Sequence, residues 1–154
     1  MLQYGSEFGG QVCSCSVVGR GVIIAERSKV WHWANIMDRV IVGADCMIGS
    51  YVQLDPDTRI GNRVRIQPFS AITGSVGPDS FIGPHVVFVD ARHPPGRGPK
   101  DRAPRVGSKV VIGAHAVVMD DVGDGAVVGA GAVVTKPVPA GAFVLARGVA
   151  GARV

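Results

Sequence analysis

The side chains able to do chemistry gather in a few short stretches. His93 precedes Pro94 at the mouth of a proline-rich segment, and Asp90 lies three residues before it. An imidazole of ordinary pKa, near 6.5, exchanges its proton close to neutrality. Asp90 can orient that ring or hold an amine. The segment itself, residues 94–105 (PPGRGPKDRAPR), carries Arg97, Lys100, Arg102 and Arg105 against the single acid Asp101. Such a group is either a solvated basic loop or a lid that reaches a phosphorylated ligand or a neighbouring subunit. Farther on, Thr135 and Lys136 follow a glycine-rich hexad, and lysine meets phosphate as a mobile point charge. Cys13 and Cys15 flank Ser14 but lack the second pair that a zinc site needs, so no metal is expected there.

These stretches are spaced along a six-residue repeat. Aliphatic residues stand at Val12, Val18, Ile24, Val30, Ile36, Val42, Ile48, Leu54, Ile60, Ile66 and Ile72. The register then steps by four to Val76 and continues at Ile82 and Phe88. It resumes at Val106, Ile112 and Val118, steps by four again to Val122, and ends at Val128 and Val134. Four residues after each aliphatic comes a small or β-branched residue, as at Ser28, Ala34, Val40 and Cys46. The position after the aliphatic is often glycine, as at Gly43, Gly49, Gly61 and Gly113.

A period of six fits neither a helix nor a simple hairpin. It fits a short strand followed by a sharp corner, with one aliphatic and one small residue pointing inward and glycine relieving the tight backbone. Three hexads close a triangular coil of about 18 residues, stacked on the next at about 4.8 Å. The predicted fold is therefore all-β, a parallel β-helix of hexapeptide repeats. Residues 1–154 form one domain, and the segment 94–105, whose prolines cannot sustain strand pairing, protrudes as an excursion.

Composition narrows the class further. With 47% hydrophobic and 18% charged residues in 154, wholesale disorder is excluded. No apolar run approaches the 18 or so residues of a membrane span. The first ten residues show no basic region followed by an apolar stretch, and three cysteines leave an odd thiol. Both features favour a cytoplasmic setting. A net charge of +4 permits an anionic partner, but no recognition helix or base-stacking motif points to nucleic acid.

Four stretches carry a family resemblance: Val30-Trp31-His32-Trp33-Ala34, Ile60-Gly61-Asn62-Arg63-Val64-Arg65-Ile66-Gln67, Phe81-Ile82-Gly83-Pro84-His85-Val86-Val87-Phe88, and Gly129-Ala130-Gly131-Ala132-Val133-Val134-Thr135-Lys136-Pro137-Val138-Pro139. Over roughly residues 14–145 the chain resembles the hexapeptide-repeat acyltransferases. Within them it looks most like the branch that N-acetylates amino groups on nucleotide-linked sugars. The resemblance implies a left-handed coil, a homotrimer and acetyl-CoA as acyl donor. It implies a nucleotide-linked deoxyamino sugar as acceptor, met by His85, Gln67 and Asp90. Backbone contacts to the pantetheine arm would come from Ala114 and Ala130, and Thr135 and Lys136 would meet the nucleotide end of the donor.

The chain departs from that branch where the chemistry sits. Asparagine usually occupies the positions of Asp90 and His93 there, and an acidic residue near Ile72 is absent here. In the sugar O-acetyltransferases of the superfamily a similar His-Pro opens the loop, and the histidine is the general base. A hydroxyl needs such a base to attack a thioester, whereas a partly neutral amine needs chiefly positioning. N-acetylation with His93 and Asp90 as catalytic residues is therefore the first expectation, and O-acetylation with His93 as base is the alternative. The γ-type carbonic anhydrases share the architecture and bind zinc through three histidines. His85, His93 and His115 do not reproduce their paired spacing. A non-catalytic trimeric module is a further alternative.

The register makes one expectation of its own. The fourth position of every third hexad holds Trp33, Tyr51, Phe69, His85 and His115, followed by Gly131. These residues should form one outward column along a single edge. The three aromatics would serve a subunit interface, and the two histidines would either extend it or line a substrate or cofactor wall.

Overall fold

A computed structural model describes residues 2–3, 9–91 and 102–146. Its strands are mostly two residues long, and all but Leu2–Gln3 run parallel to the strands one coil above and below. Three sheets result. The first face holds Gln11–Cys13, Lys29–Val30, Met47–Ile48, Arg65–Ile66, Phe81–Ile82, Val111–Ile112, Val127–Val128 and Phe143–Val144. The second face holds Val17–Val18, Asn35–Ile36, Gln53–Leu54, Ala71–Ile72, Val87–Phe88, Val117–Val118 and Val133–Val134. The third runs from Ile23–Ile24 through Ile41–Val42, Arg59–Ile60 and Ser75–Val76 to Arg105–Val106, and single bridges extend it to Val122 and Val138. The coils form a parallel β-solenoid of about 7 turns, in agreement with the expected left-handed β-helix. Leu2–Gln3 pairs antiparallel with Gln11–Cys13 and so covers the open edge of the first coil.

The interior is a file of the predicted aliphatics. Ile24, Ile36, Ile48, Leu54, Ile66, Ile72, Ile82 and Ile112 are fully buried, as are the inward small residues Ser28, Ala34, Thr58 and Ala116. Buried hydroxyls link coils: Ser28 Oγ donates to the Gly43 carbonyl at 2.6 Å and accepts from the Cys46 amide at 2.9 Å. The repeat also runs farther than expected. It does not end at Val134 but takes another four-residue step to buried Val138 and then reaches Val144 on the first face.

The glycine after the aliphatic has a different reason from the one the repeat suggested. Gly49 is not among the residues of positive φ. Instead, a Cβ there would lie 2.7 Å from the Pro68 nitrogen of the next coil, so the residue is small because the coils close on it. The left-handed conformation belongs to the fourth position of the hexad, where twelve residues other than glycine take φ of 55–65°. A side chain costs roughly 1–2 kcal/mol there. What offsets that cost is visible along each edge.

Between the third and first faces the fourth positions read Arg27, Asp45, Arg63, Asp79 and Lys109, an alternating ladder that the sequence reading missed although the same count finds it. Arg27 grips Asp45 with two hydrogen bonds of 2.7 and 2.9 Å, and Arg63 grips Asp79 at 2.6 and 2.9 Å. Arg39 and Asp57 repeat the pairing on another edge at 2.7 and 2.8 Å. Each arginine holds its aspartate below the ordinary carboxylate range. A depressed carboxylate contributes stability above its unfolded pKa, near 4, and loses it as pH falls through the folded value. The Asp45→Asn, Asp57→Asn and Asp79→Asn triple variant keeps side chains that tolerate positive φ. Its thermal midpoint should fall below wild type at pH 7 and converge with it below about pH 4. Because the pairs are exposed, the difference should be small and should shrink in high salt.

Candidate functional site

One edge of the prism changes character along its length. Between the second and third faces the first three coils take full six-residue steps, Val18 to Ile24, Ile36 to Val42 and Leu54 to Ile60. After that, Ile72 to Val76, Val118 to Val122 and Val134 to Val138 take four, and the excursion leaves between Phe88 and Val106. The C-terminal half of this edge is thus cut back, and the loop emerges from it. Gly74 makes the first tight corner at φ +82°, where a Cβ would collide with the Pro104 carbonyl oxygen of the returning limb.

Asp121 anchors that limb. Arg102 donates to both its oxygens, at 2.7 and 2.8 Å, and the Arg105 amide donates at 2.8 Å. Arg102 lies 3.6 Å from Asp120 as well. The Arg102 guanidinium holds the Asp121 carboxyl below its usual range. This corrects the expectation for one loop cation: Arg102 ties the loop to the prism and is not free for a phosphate. Arg97 and Lys100 lie outside the described residues, as does His93.

Asp90 is exposed where the second face ends, directly after Val89, whose amide donates to the Val118 carbonyl at 2.9 Å. The strands Val87–Phe88, Val117–Val118 and Val133–Val134 pair in register. Asp90, Asp120 and Lys136 consequently hold equivalent positions in three successive coils, with Asp90 and Lys136 about 10 Å apart along the axis. Thr135 and Lys136 line a concavity of about 280 Å³ together with Val133, Pro137 and Phe143.

The remaining predicted residues gather on the edge between the first and second faces. The expected column is there. Ring centroids lie 5.1 Å apart for Trp33 and Tyr51, 5.0 Å for Tyr51 and Phe69, 5.0 Å for Phe69 and His85, and 4.7 Å for His85 and His115. The last three pairs are within 8° of parallel. Each ring pair contributes about 0.5–1.5 kcal/mol beyond area burial, which offsets the strain of the left-handed positions. Ala114 and Ala130 sit beside the column in adjacent coils, the Gly131 amide donating to the Ala114 carbonyl at 2.8 Å. Gln67 lines a concavity of about 200 Å³ with Trp31, Met47 and Pro68.

The structure therefore brings the predicted residues together in two groups: Gln67, His85, Ala114 and Ala130 on the ring edge, and Asp90, Thr135 and Lys136 on the loop edge. His85 is close to Asp90 in sequence, but the strand Val87–Phe88 runs between them and puts them on opposite borders of the second face. The outer surface of that face is apolar between the groups, with Val87 and Val133 exposed. Asp121, which anchors the returning limb, is a residue that sequence reasoning missed. Only the four-residue step to Val122 hinted at its corner. Among the described residues no group of three or more His, Cys, Asp or Glu is placed to hold a metal ion, and no helix is long and apolar enough to cross a membrane.

Residues 39–74 match the family model for the bacterial transferase hexapeptide (six repeats). No curated protein sequence matches the chain. Among solved structures it is similar to the acetyltransferase domain of PglB from Neisseria gonorrhoeae in complex with acetyl coenzyme A, at 24% identity over 79% of this chain and 51% of that one, with a TM-score of 0.40. It is also similar to PerB from Caulobacter crescentus in complex with CoA and GDP-perosamine, at 19% identity over 88% and 50%, TM-score 0.39. A third is AntD, an N-acyltransferase from Bacillus cereus, at 17% identity over 93% and 77%, TM-score 0.38. The chain spans about half the length of the first two. The coils on either side of the matched residues 39–74 keep the same six-residue period, so the prism as a whole is a parallel β-helix of six-residue repeats.

Proposed function

We propose that the chain is an acyltransferase that moves an acetyl group from acetyl-CoA to the amino group of a nucleotide-linked deoxyamino sugar, working as a homotrimer. The observation that carries this reading is the shared edge of Asp90 and Lys136. The base of the loop and a cation suited to a nucleotide phosphate hold equivalent positions on that edge, two coils apart, and Lys136 lines a concavity there with Thr135. The small side chains at Ala114 and Ala130 leave room for a pantetheine arm to approach the backbone, and the apolar second face lies between them and Thr135.

The chemistry asks little of the protein. The neutral amine attacks the thioester carbonyl, the tetrahedral oxyanion collapses, and CoA leaves as a thiolate that takes up the proton shed by the nitrogen. Asp90 holds the amine, and His93 takes the proton in passage. The His93-Pro94 pair also favours a second reading, O-acetylation of a sugar hydroxyl with His93 as the obligatory base.

The test is an acceptor screen with acetyl-CoA that reads released thiol. Thiol release with amino sugars linked to a nucleotide, and none with their hydroxyl analogues, is the expected result. Silence with every acceptor would sink the acyltransferase reading. Lys136→Ala should raise the KM for acetyl-CoA severalfold and leave kcat within about twofold, because a contact to the nucleotide end acts equally on ground and transition states.

A further inference from the structure

The ring column starts at Trp33, and the equivalent corner one coil above it carries no ring. Eighteen residues before Trp33 stands Cys15, and its Sγ lies 2.6 Å from that of Cys13. A disulfide bond measures about 2.05 Å, so a small torsional change would bring the two sulfurs to bonding distance. The two thiols differ. Cys13 ends the strand Gln11–Cys13 and is buried, whereas Cys15 is exposed. A turn closed by the Ser16 amide on the Cys13 carbonyl at 2.9 Å holds them side by side. The hydrogen bond from Cys13 draws the Cys15 thiol below its ordinary pKa. The third thiol offers no such chemistry: Cys46 is buried, its Sγ is engaged with the Gly61 carbonyl at 3.0 Å, and burial pushes its pKa up.

We propose that Cys13 and Cys15 form a thiol–disulfide exchange site, which small-molecule disulfides such as oxidised glutathione convert to an intramolecular disulfide. The exposed Cys15 thiolate attacks one sulfur of the oxidant. A mixed disulfide forms on Cys15, and the first glutathione thiolate leaves. Cys13 then loses its proton and attacks the Cys15 sulfur, forming the Cys13–Cys15 bond and expelling the second thiolate. Two protein thiols are oxidised and one glutathione disulfide is reduced to two thiols, which carry away the two protons. Exposure makes Cys15 the attacking group, and burial beside it makes Cys13 the resolving one.

The full chain treated with oxidised glutathione, alkylated in denaturant and mapped by mass spectrometry tests this without reference to catalysis. Wild type should lose two thiols, carry a Cys13–Cys15 bond and no glutathione, and leave Cys46 open to alkylation. Dithiothreitol should reverse the change. Cys13→Ser should retain glutathione on Cys15, because nothing resolves it, and Cys15→Ser should stay unmodified. Circular dichroism of both variants should match wild type. A stable glutathione adduct on wild type, a bond that includes Cys46, a disulfide joining two chains, or a Cys15→Ser variant that reacts as fast as wild type would each overturn the proposal.

Discussion

Ile66→Ala is expected to lower the unfolding free energy by about 2–5 kcal/mol, toward the upper end of that range. Ile66 is fully buried at mid-height, between Ile48 of the coil above and Ile82 of the coil below. In a solenoid each coil packs only on its neighbours, so a hole in one layer weakens two interfaces at once. The surroundings cannot collapse into the space. The Gly49 amide holds the Ile66 carbonyl at 2.8 Å and the Gln67 amide holds the Ile82 carbonyl at 2.9 Å, which fixes the spacing of the coils around the missing atoms. Urea titration should show a lower midpoint at unchanged slope. Arg59→Ala, which removes an exposed side chain from the third face, should stay within about 0.5 kcal/mol. Equal losses at the two sites would show that the inward file does not carry the stability.

The second large effect is expected at His93. Near neutral pH, His93→Ala should lower kcat by about 10²–10⁴-fold if the imidazole takes the proton of the acceptor. The dependence on pH separates the two acceptor chemistries. An amine deprotonates as pH rises and then needs no base, so for N-acetylation the deficit of the variant should shrink between about pH 7 and 9. A sugar hydroxyl stays protonated throughout that range, and for O-acetylation the deficit should persist at every pH. Parallel kcat profiles of wild type and variant decide the matter. The proposed function requires profiles that converge, and a constant gap would transfer the assignment to O-acetylation.

The repeat was legible because its cause is local. A strand of two residues and a corner must place one aliphatic and one small residue inward every six positions, so the file from Ile24 to Val134 could be written down before any contact was known. Counting three hexads per coil was enough to align Trp33, Tyr51, Phe69, His85 and His115. The same count would have aligned Arg27, Asp45, Arg63 and Asp79, which escaped notice because single charges look like ordinary solvated surface. Other features left no local trace. Arg102 reads as a free loop cation until Asp121 is found under it. Gly49 follows an aliphatic and Gly125 stands at the fourth position of its hexad, and the sequence does not show why each is glycine. The first is forced by the neighbouring coil, while the second has open space around it and takes φ +66°.

By itself, then, the sequence determined the prism, its inward file and the column of rings, because short strands repeating every six residues leave one arrangement that buries the aliphatics. It also singled out residues around the loop as candidates for the chemistry. Only the tertiary structure decided how they group: His85 with Ala114 on one edge, and Asp90 with Lys136 on another. That division depends on which corner of each coil is cut short and on where the chain returns after the excursion. A repeat that looks the same at all three corners cannot specify either; the steps at Val76, Val122 and Val138 acquire their common meaning only when the coils are stacked and fall on one edge.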